Sequence, residues 1–135
     1  MVTIINGVKH YPMSWDYAEH KIETERIRLE NKIYVLKNGF GEDDDDEGLV
    51  IVTGGISEKN LKDFKALPKD EQKRKICYLE RVLARMNEVR DLADRYVTTD
   101  ARGRLTAWMD GKTYAAVRKI CAGYEIVNAF YCKNH

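Results

Sequence analysis

The chain has 135 residues, of which 44% are hydrophobic and 33% are charged, enough for a globular domain with a buried core. It contains no apolar run of membrane-spanning length and no signal-peptide pattern, and its three cysteines lack paired spacing. These features exclude a membrane-spanning or disulfide-rich class and predict a single domain, residues 1–135, with free thiols in the cytoplasm.

The net charge of +1 is unevenly distributed. Residues 1–57 carry 6 Lys/Arg and 11 Asp/Glu, a net charge of −5, whereas residues 58–135 carry 17 and 11, a net charge of +6. Such asymmetry is typical of a surface for nucleic acid or an acidic partner, and equally of charge pairing within the molecule.

The first predicted elements are a hairpin and a long helix. Two β-prone segments flank Asn6-Gly7, a favoured two-residue turn, so Val2 to Tyr11 is a predicted hairpin that Pro12 closes. Ser14 is a candidate N-cap for the helix that follows. Asn38-Gly39 predicts the C-terminal end of that helix.

A run of six acidic residues, Glu42–Glu47, follows the helix. Adjacent like charges repel one another, so the run is a predicted exposed loop. Carboxylates suit a divalent cation, but the run lacks the alternating spacing of a calcium loop. Mimicry of a phosphate backbone in a partner's basic groove is a further alternative.

A predicted buried strand, Leu49–Thr53, leads into Gly54-Gly55 and then into a short helix capped by Ser57. A strand, two glycines and a helix N-terminus can hold a phosphate with free backbone N–H groups. The segment 50–55 resembles the opening of a dinucleotide-binding strand, although residues 56–59 lack the further glycines of that fingerprint. The turn is therefore either an anion site or simply a tight structural turn.

The longest helical pattern is Leu67–Val97, with Pro68 in its first turn. Apolar residues recur in it at spacings of three and four, which predicts one broad apolar stripe with Cys77 packed beside it. The stripe comprises Ile76, Leu79, Val82, Leu83, Met86, Val89, Leu92, Ala93 and Tyr96. Core packing is the favoured role, and a homodimer through residues 68–96 is the alternative.

The C-terminal third is predicted to contain a loop, two strands and one segment that fits either helix or strand. Residues 98–103 are a predicted loop, residues 104–109 a strand, and Asp110-Gly111 a tight turn. Residues 112–122 fit either a helix or a return strand, and the helix is favoured. The β-branched and aromatic residues of 124–131 predict a final strand.

Cationic and aromatic residues concentrate in this C-terminal third. Arg and Lys contact phosphates, whereas aromatic rings stack on bases. Together with the glycine turn they form the candidate ligand site, which is Gly54, Gly55, Ser57, Arg102, Arg104, Trp108, Lys112, Tyr114 and Arg118. The same aromatic residues are also typical of the core of a small sheet.

Metal-free RNA cleavage is the reaction that these residues would fit if the protein were an enzyme. A carboxylate or tyrosine would transfer protons, and an arginine would stabilise the charge that develops on the phosphate. The candidate catalytic residues are Arg104, Asp110, Tyr114 and Tyr131. No metal or cofactor is expected, since Cys132 and His135 would supply only half of a zinc site.

The predicted elements define an α+β fold, with a small, mostly antiparallel sheet and two long helices packed on one face. An enzyme is less expected than a small binding or regulatory protein that acts like an inhibitor, by occupying a macromolecular partner. Nucleotide or nucleic-acid binding through Gly54-Gly55 and the Arg/Tyr cluster is the first alternative, and a ribonuclease is the second. The expected partner is therefore a protein, a nucleotide or a nucleic acid rather than a membrane.

Overall fold

The computed structural model describes residues 2–39 and 56–123. Its elements are β1 (Thr3–Ile5), β2 (Val8–Ser14), α1 (Trp15–Asn38), α2 (Glu58–Lys65), α3 (Lys69–Asp94), β3 (Val97–Thr99), β4 (Leu105–Asp110) and α4 (Gly111–Cys121). An antiparallel sheet and two long helices confirm the predicted α+β fold. The acidic run Glu42–Glu47, the strand 49–53, the Gly54-Gly55 turn and the strand 124–131 lie outside the described residues.

The four described strands form one antiparallel sheet in the order β1-β2-β4-β3. Asn6 and Gly7 join β1 to β2, and their φ angles of 52° and 78° suit the two-residue turn that this dipeptide favours. The predicted hairpin is therefore confirmed, and its register places Ile5 opposite Val8.

Pro12 does not close the hairpin as predicted, because β2 continues through it to Ser14. Pro12 lies opposite Trp108 of β4 and two residues beyond His10, the last β2 residue paired with β1. Backbone groups of alternate residues point to the same neighbour, so the nitrogen of Pro12 points to the side that β1 does not reach. A missing N–H costs no ladder hydrogen bond there, which is why proline is tolerated inside this strand.

The C-terminal end of α1 and the N-terminal end of α3 lie at the glycine and the proline that predicted them. The N–H of Gly39, at φ 79°, donates to the carbonyl of Val35 at 2.7 Å and ends α1. Pro68 directly precedes α3, and its carbonyl accepts the N–H groups of Glu71 and Gln72 in the first turn of that helix. Most of the predicted α3 stripe is buried, but Leu92 is exposed. Cys77, which was expected to be packed, is exposed as well.

The chain divides into two compact units, each with its own core. The first unit, Met1–Glu25 with Ala84–His135, contains the sheet, α4, the start of α1 and the end of α3. Its core comprises Trp15, Ala18, Ile22, Met86, Val89, Ala93, Ala107, Met109, Ala116, Val117 and Ile120. The second unit, Arg26–Leu83, contains α2 and the remainder of both long helices. Its core comprises Leu29, Ile33, Val35, Leu36, Ile56, Phe64, Leu79 and Val82.

Two local predictions near β4 were wrong. The strand Val97–Thr99 takes the place of the last residue of the predicted helix and the first two residues of the predicted loop, because Val97 and Thr99 pair with β4. Asp110-Gly111 is not the predicted tight turn, because Asp110 caps α4 and Gly111 is the first residue of that helix. The helix favoured for residues 112–122 is confirmed. Aspartate suits turns and helix N-caps alike, so the dipeptide alone could not separate the two structures.

Candidate functional site

A cluster of polar and aromatic side chains lies in the first unit, where β4 ends and α4 begins. At its centre the Asp110 carboxylate accepts the main-chain N–H of Thr113 at 2.8 Å. The same carboxylate interacts with the side chains of Thr113, Tyr96 and His10. These four residues, which form the Asp110 cluster, come from β2, the α3–β3 connection, β4 and α4. One carboxylate therefore joins four parts of the unit.

The strand register explains how His10 reaches this carboxylate. His10 lies opposite Asp110 on β4 and opposite Thr3 on β1. Hydrogen-bonded and non-hydrogen-bonded pairs alternate from the hairpin turn, so the backbone groups of His10 point towards β1. His10 and Asp110 are then a non-hydrogen-bonded pair, the kind whose side chains lie closest together.

The His10 side chain is enclosed by its neighbours. His10 is only 7% exposed, and its ring centroid lies 5.7 Å from that of Tyr96. Nδ1 of His10 donates to the carbonyl oxygen of Val8 at 2.9 Å, which fixes the orientation of the ring. These contacts make His10 a structural member of the cluster with little access to solvent.

The surroundings of Asp110 stabilise its charged form. The side chain of Thr113 makes the strongest contribution, followed by the Thr113 main-chain N–H, the electrostatic interaction with His10 and the Tyr96 hydroxyl. Together they lower the pKa of Asp110 below its usual value, although partial burial acts in the opposite direction. A carboxylate with a lowered pKa is a weak base at neutral pH, so its chemistry here is to accept hydrogen bonds and position its neighbours.

An aromatic stack occupies the other face of the same end of the sheet. Tyr11 and Tyr114 stack with ring centroids 5.2 Å apart and planes 25° apart. The Arg118 guanidinium carbon lies 5.8 Å from the Tyr114 ring centroid, one helical turn further along α4. Tyr11 lies against the start of α4, since a Cβ on Gly111 would be 3.6 Å from its ring. The stack combines aromatic rings with an exposed cation, a pairing that can bind bases or phosphates.

Arg102 and Arg104 lie in a different place, the loop between β3 and β4. Their main-chain N–H groups donate to one oxygen of Asp100 at 2.8 and 2.9 Å. Arg104 also donates its Nε to the other oxygen at 3.3 Å. Arg104 and Asp110 are separated by the length of β4, roughly 20 Å for six strand residues. The structure therefore does not bring Arg104 together with Asp110 and Tyr114.

The remaining predicted ligand residues are dispersed. Ser57 caps α2 in the second unit, where its hydroxyl accepts the N–H of Asn60 at 3.1 Å. Trp108 is half-buried on β4, and Lys112 is exposed in the first turn of α4. The last group, Gly54, Gly55 and Tyr131, lies outside the described residues. The ribonuclease hypothesis and its catalytic residues stay predictions.

Sequence reasoning missed four members of this region: His10, Tyr11, Tyr96 and Thr113. His10 and Tyr11 are distant in sequence from the C-terminal residues that were singled out. The signal that could have found His10 and Tyr11 is the pairing of β2 with β4, which places them opposite Asp110 and Met109. That pairing is long-range, and periodicity does not reveal which strand lies next to which.

An exposed apolar surface lies on the β1–β2 hairpin. Large hydrophobic side chains are exposed at eight positions among the described residues, and four of these lie in the first eight residues. The four are Val2, Ile4, Ile5 and Val8, with exposures of 47%, 67%, 43% and 50%. They form the apolar finger. β4 pairs with β2 only from His10 onwards, so the finger has no β4 partner.

Metal ligands, membrane segments and relatives give no further functional indication. In residues 2–39 and 56–123 no group of three or more His, Cys, Asp or Glu side chains could hold a metal ion. Among the same residues no helix is both long and apolar enough to cross a bilayer. Comparison with protein-family models, with curated proteins and with solved structures finds no match to this chain.

Proposed function

We propose that the protein is a small binding protein that acts by attaching its apolar finger to a partner protein. The observation that carries the proposal is the concentration of exposed Val2, Ile4, Ile5 and Val8 on one hairpin. A concentration of exposed apolar side chains on one part of a folded protein is typical of an interaction site. A regulatory or inhibitor-like role, acting by occupation of the partner, is part of the same proposal, and so is a cytoplasmic location.

The geometry of β1 supports an extended segment of the partner as the occupant. Among the four described strands β1 lies at one edge of the sheet, and Thr3–Ile5 carries no charge that would oppose pairing. Ile5 and Val8 flank the two-residue turn and form a hydrogen-bonded pair, so Ile4 is in a non-hydrogen-bonded pair. The N–H and C=O of Ile4 therefore point outwards, where an added strand can pair with them.

A charge on the finger tests the proposal. The Ile4→Lys variant places an ammonium group on the edge strand at a position that is 67% exposed, so the fold should be unaffected. Truncating an interface hot spot costs about 2 kcal/mol or more, so recovery of a specific partner on limiting tagged protein should fall about tenfold or more. The measurement is quantitative mass spectrometry of proteins retained from a lysate of the source organism.

Tyr34→Lys is the matched control, because Tyr34 is also an exposed large side chain, at 58%, but lies on α1 in the second unit. Equal recovery with Ile4→Lys and Tyr34→Lys would reject the finger as the contact. Ile4→Pro separates strand pairing from apolar contact, since it removes the outward N–H while leaving an apolar side chain. If sedimentation shows self-association that Ile4→Lys abolishes, the partner is a second copy of this chain.

Nucleic-acid binding is a second candidate, favoured by the aromatic stack. Arg118 is exposed over the Tyr114 ring and precedes Lys119, a second exposed cation. Stacking on bases and contacts with phosphates would use these groups. Fluorescence anisotropy with a short single-stranded RNA should show weaker binding for Arg118→Ala than for Lys69→Ala, an exposed cation of the second unit. Equal binding by both variants would exclude the stack as the RNA site.

A further inference from the structure

Two Asn-Gly pairs occur in the described residues, and the structure places them in different surroundings. Asn6-Gly7 forms the turn of the apolar finger, whereas Asn38-Gly39 lies at the end of α1. Asparagine before glycine is the pair most open to deamidation, because glycine has no Cβ to obstruct the reaction. The two sites share one intrinsic chemistry, so any difference in their rates must come from the fold.

Deamidation needs no reagent except water. The main-chain nitrogen of the glycine loses its proton and attacks Cγ of the preceding asparagine. A bond forms between this nitrogen and Cγ, the bond from Cγ to Nδ2 breaks, and Nδ2 takes up a proton and leaves as ammonia. Water then opens the five-membered succinimide at one of its two carbonyl carbons, giving either aspartate or isoaspartate.

At Asn38 both reacting groups are held by the end of α1. The N–H of Gly39 donates to the carbonyl of Val35 at 2.7 Å. Nδ2 of Asn38 donates to the carbonyl of Tyr34 at 3.2 Å. Attack of the Gly39 nitrogen on Cγ would break the first hydrogen bond and displace the second donor. The last turn of α1 must therefore unwind before Asn38 can react.

At Asn6 the surrounding structure is much weaker. Asn6 is exposed, and the three residues of β1 that precede it are all exposed. Within the described residues Ile4 and Ile5 pair with Lys9 and Val8, beyond the reach of β4. A two-stranded ribbon without a covering layer is marginally stable, so it opens at low free-energy cost. Opening releases Asn6 from its φ of 52° and lets the Gly7 nitrogen approach Cγ.

We propose that Asn6 is a site of spontaneous deamidation in the folded protein and that α1 protects Asn38. The product carries a carboxylate at the tip of the apolar finger. In the isoaspartate product the main chain also runs through one additional carbon. A two-residue turn has no room for that carbon, so the pairing of Ile5 with Val8 is lost in this form. The modification therefore changes both the charge and the structure of the finger.

The test compares the two sites within one molecule. Folded protein is incubated at mildly alkaline pH and then digested with an acid protease. Mass spectrometry of each peptide measures the mass change from the replacement of NH₂ by OH. Asn6 should react at least about tenfold faster than Asn38, which requires an opening free energy only about 1.4 kcal/mol lower. In concentrated urea the two rates should become similar, because both protections are removed.

Two results would overturn the proposal. One is an Asn38 rate equal to or above that of Asn6 in the folded protein. The other is an unreactive Asn6 in the folded protein while both sites react in urea, since the hairpin would then protect its turn. Asn6→Gln should abolish the modification in the first peptide and leave the Asn38 rate unchanged, which assigns the mass change to Asn6.

Discussion

Two aspartates near the ends of β4, Asp100 and Asp110, use the same local chemistry for different purposes. Each carboxylate accepts main-chain N–H groups that follow it in the chain. Asp100 is exposed and holds only its own loop, through Arg102 and Arg104. Asp110 is half-buried and interacts with three residues from other elements. The contribution of a capping aspartate to the stability of the fold therefore depends on how many separate elements its carboxylate contacts.

Removing the carboxylate at Asp110 should have the largest effect on stability. Asp110→Ala should lower the free energy of unfolding by about 2–4 kcal/mol, because a lost N-cap costs about 0.5–2 kcal/mol and an unpaired buried polar group about 1–3 kcal/mol. Urea denaturation is the measurement. Asp110→Asn keeps a good N-cap and removes only the charge, so it should be less damaging. Equal stability of Asp110→Ala and the native protein would show that the Asp110 carboxylate does not stabilise the contacts among the elements of the cluster.

The Tyr96 hydroxyl should contribute less, and only through Asp110. Tyr96→Phe should destabilise the native protein by about 0.5–1.5 kcal/mol, the usual net contribution of one hydrogen bond. In an Asp110→Ala background the same substitution should have almost no effect, because the acceptor is already absent. A full effect in both backgrounds would mean that the Tyr96 hydroxyl acts through a partner other than Asp110, because phenylalanine keeps the ring that lies near His10.

These two substitutions also mark the limit of what the sequence could predict. The Asn6-Gly7 hairpin and the helix ends at Gly39 and Pro68 were predictable because their signals are local. The role of Asp110 was not, because Asp-Gly fits a turn and an N-cap equally well. Only the packing of the buried face of α4 (Thr113, Ala116, Val117 and Ile120) and its contacts with β2 and β4 decide between them.

The candidate site was predictable in part for the same reason. Tyr114 and Arg118 lie one helical turn apart, so a local pattern was sufficient to bring them together. Tyr11 joins them, and His10 joins Asp110, through the pairing of β2 with β4, and no local pattern encodes that pairing. Residue composition did place cations and aromatics in the C-terminal third, but it could not separate the Asp100 loop from the Asp110 cluster.

Acid titration should distinguish the two aspartates further. The pKa of Asp110 is lowered in the folded protein, so its stabilising contribution is present above the usual aspartate pKa. That contribution is lost as the pH falls through the lowered native value, because the folded state then takes up the proton. The free energy of unfolding of Asp110→Asn should therefore fall less steeply with acid than that of the native protein. Parallel curves would mean that other carboxylates dominate.

Removing the Asp100 carboxylate should have the smallest effect on global stability, and its effect should be confined to the loop between β3 and β4. Hydrogen bonds from the main chain of Arg104 and then of Arg102 lower the pKa of Asp100 as well, but its carboxylate is exposed, so water and salt screen the stabilisation. Asp100→Ala should leave the urea midpoint almost unchanged. Amide hydrogen exchange should nevertheless accelerate at Arg102 and Arg104, because their N–H groups lose their acceptor.

Exchange at Thr113 is the internal control for Asp100→Ala, since the N–H of Thr113 is held by Asp110 and not by Asp100. Asp110→Ala should reverse the pattern, with faster exchange at Thr113 and a large fall in global stability. If Asp100→Ala instead accelerated exchange throughout β3 and β4, the loop would stabilise the sheet as a whole. Both aspartates would then stabilise the sheet, and they would differ only in how much free energy each contributes.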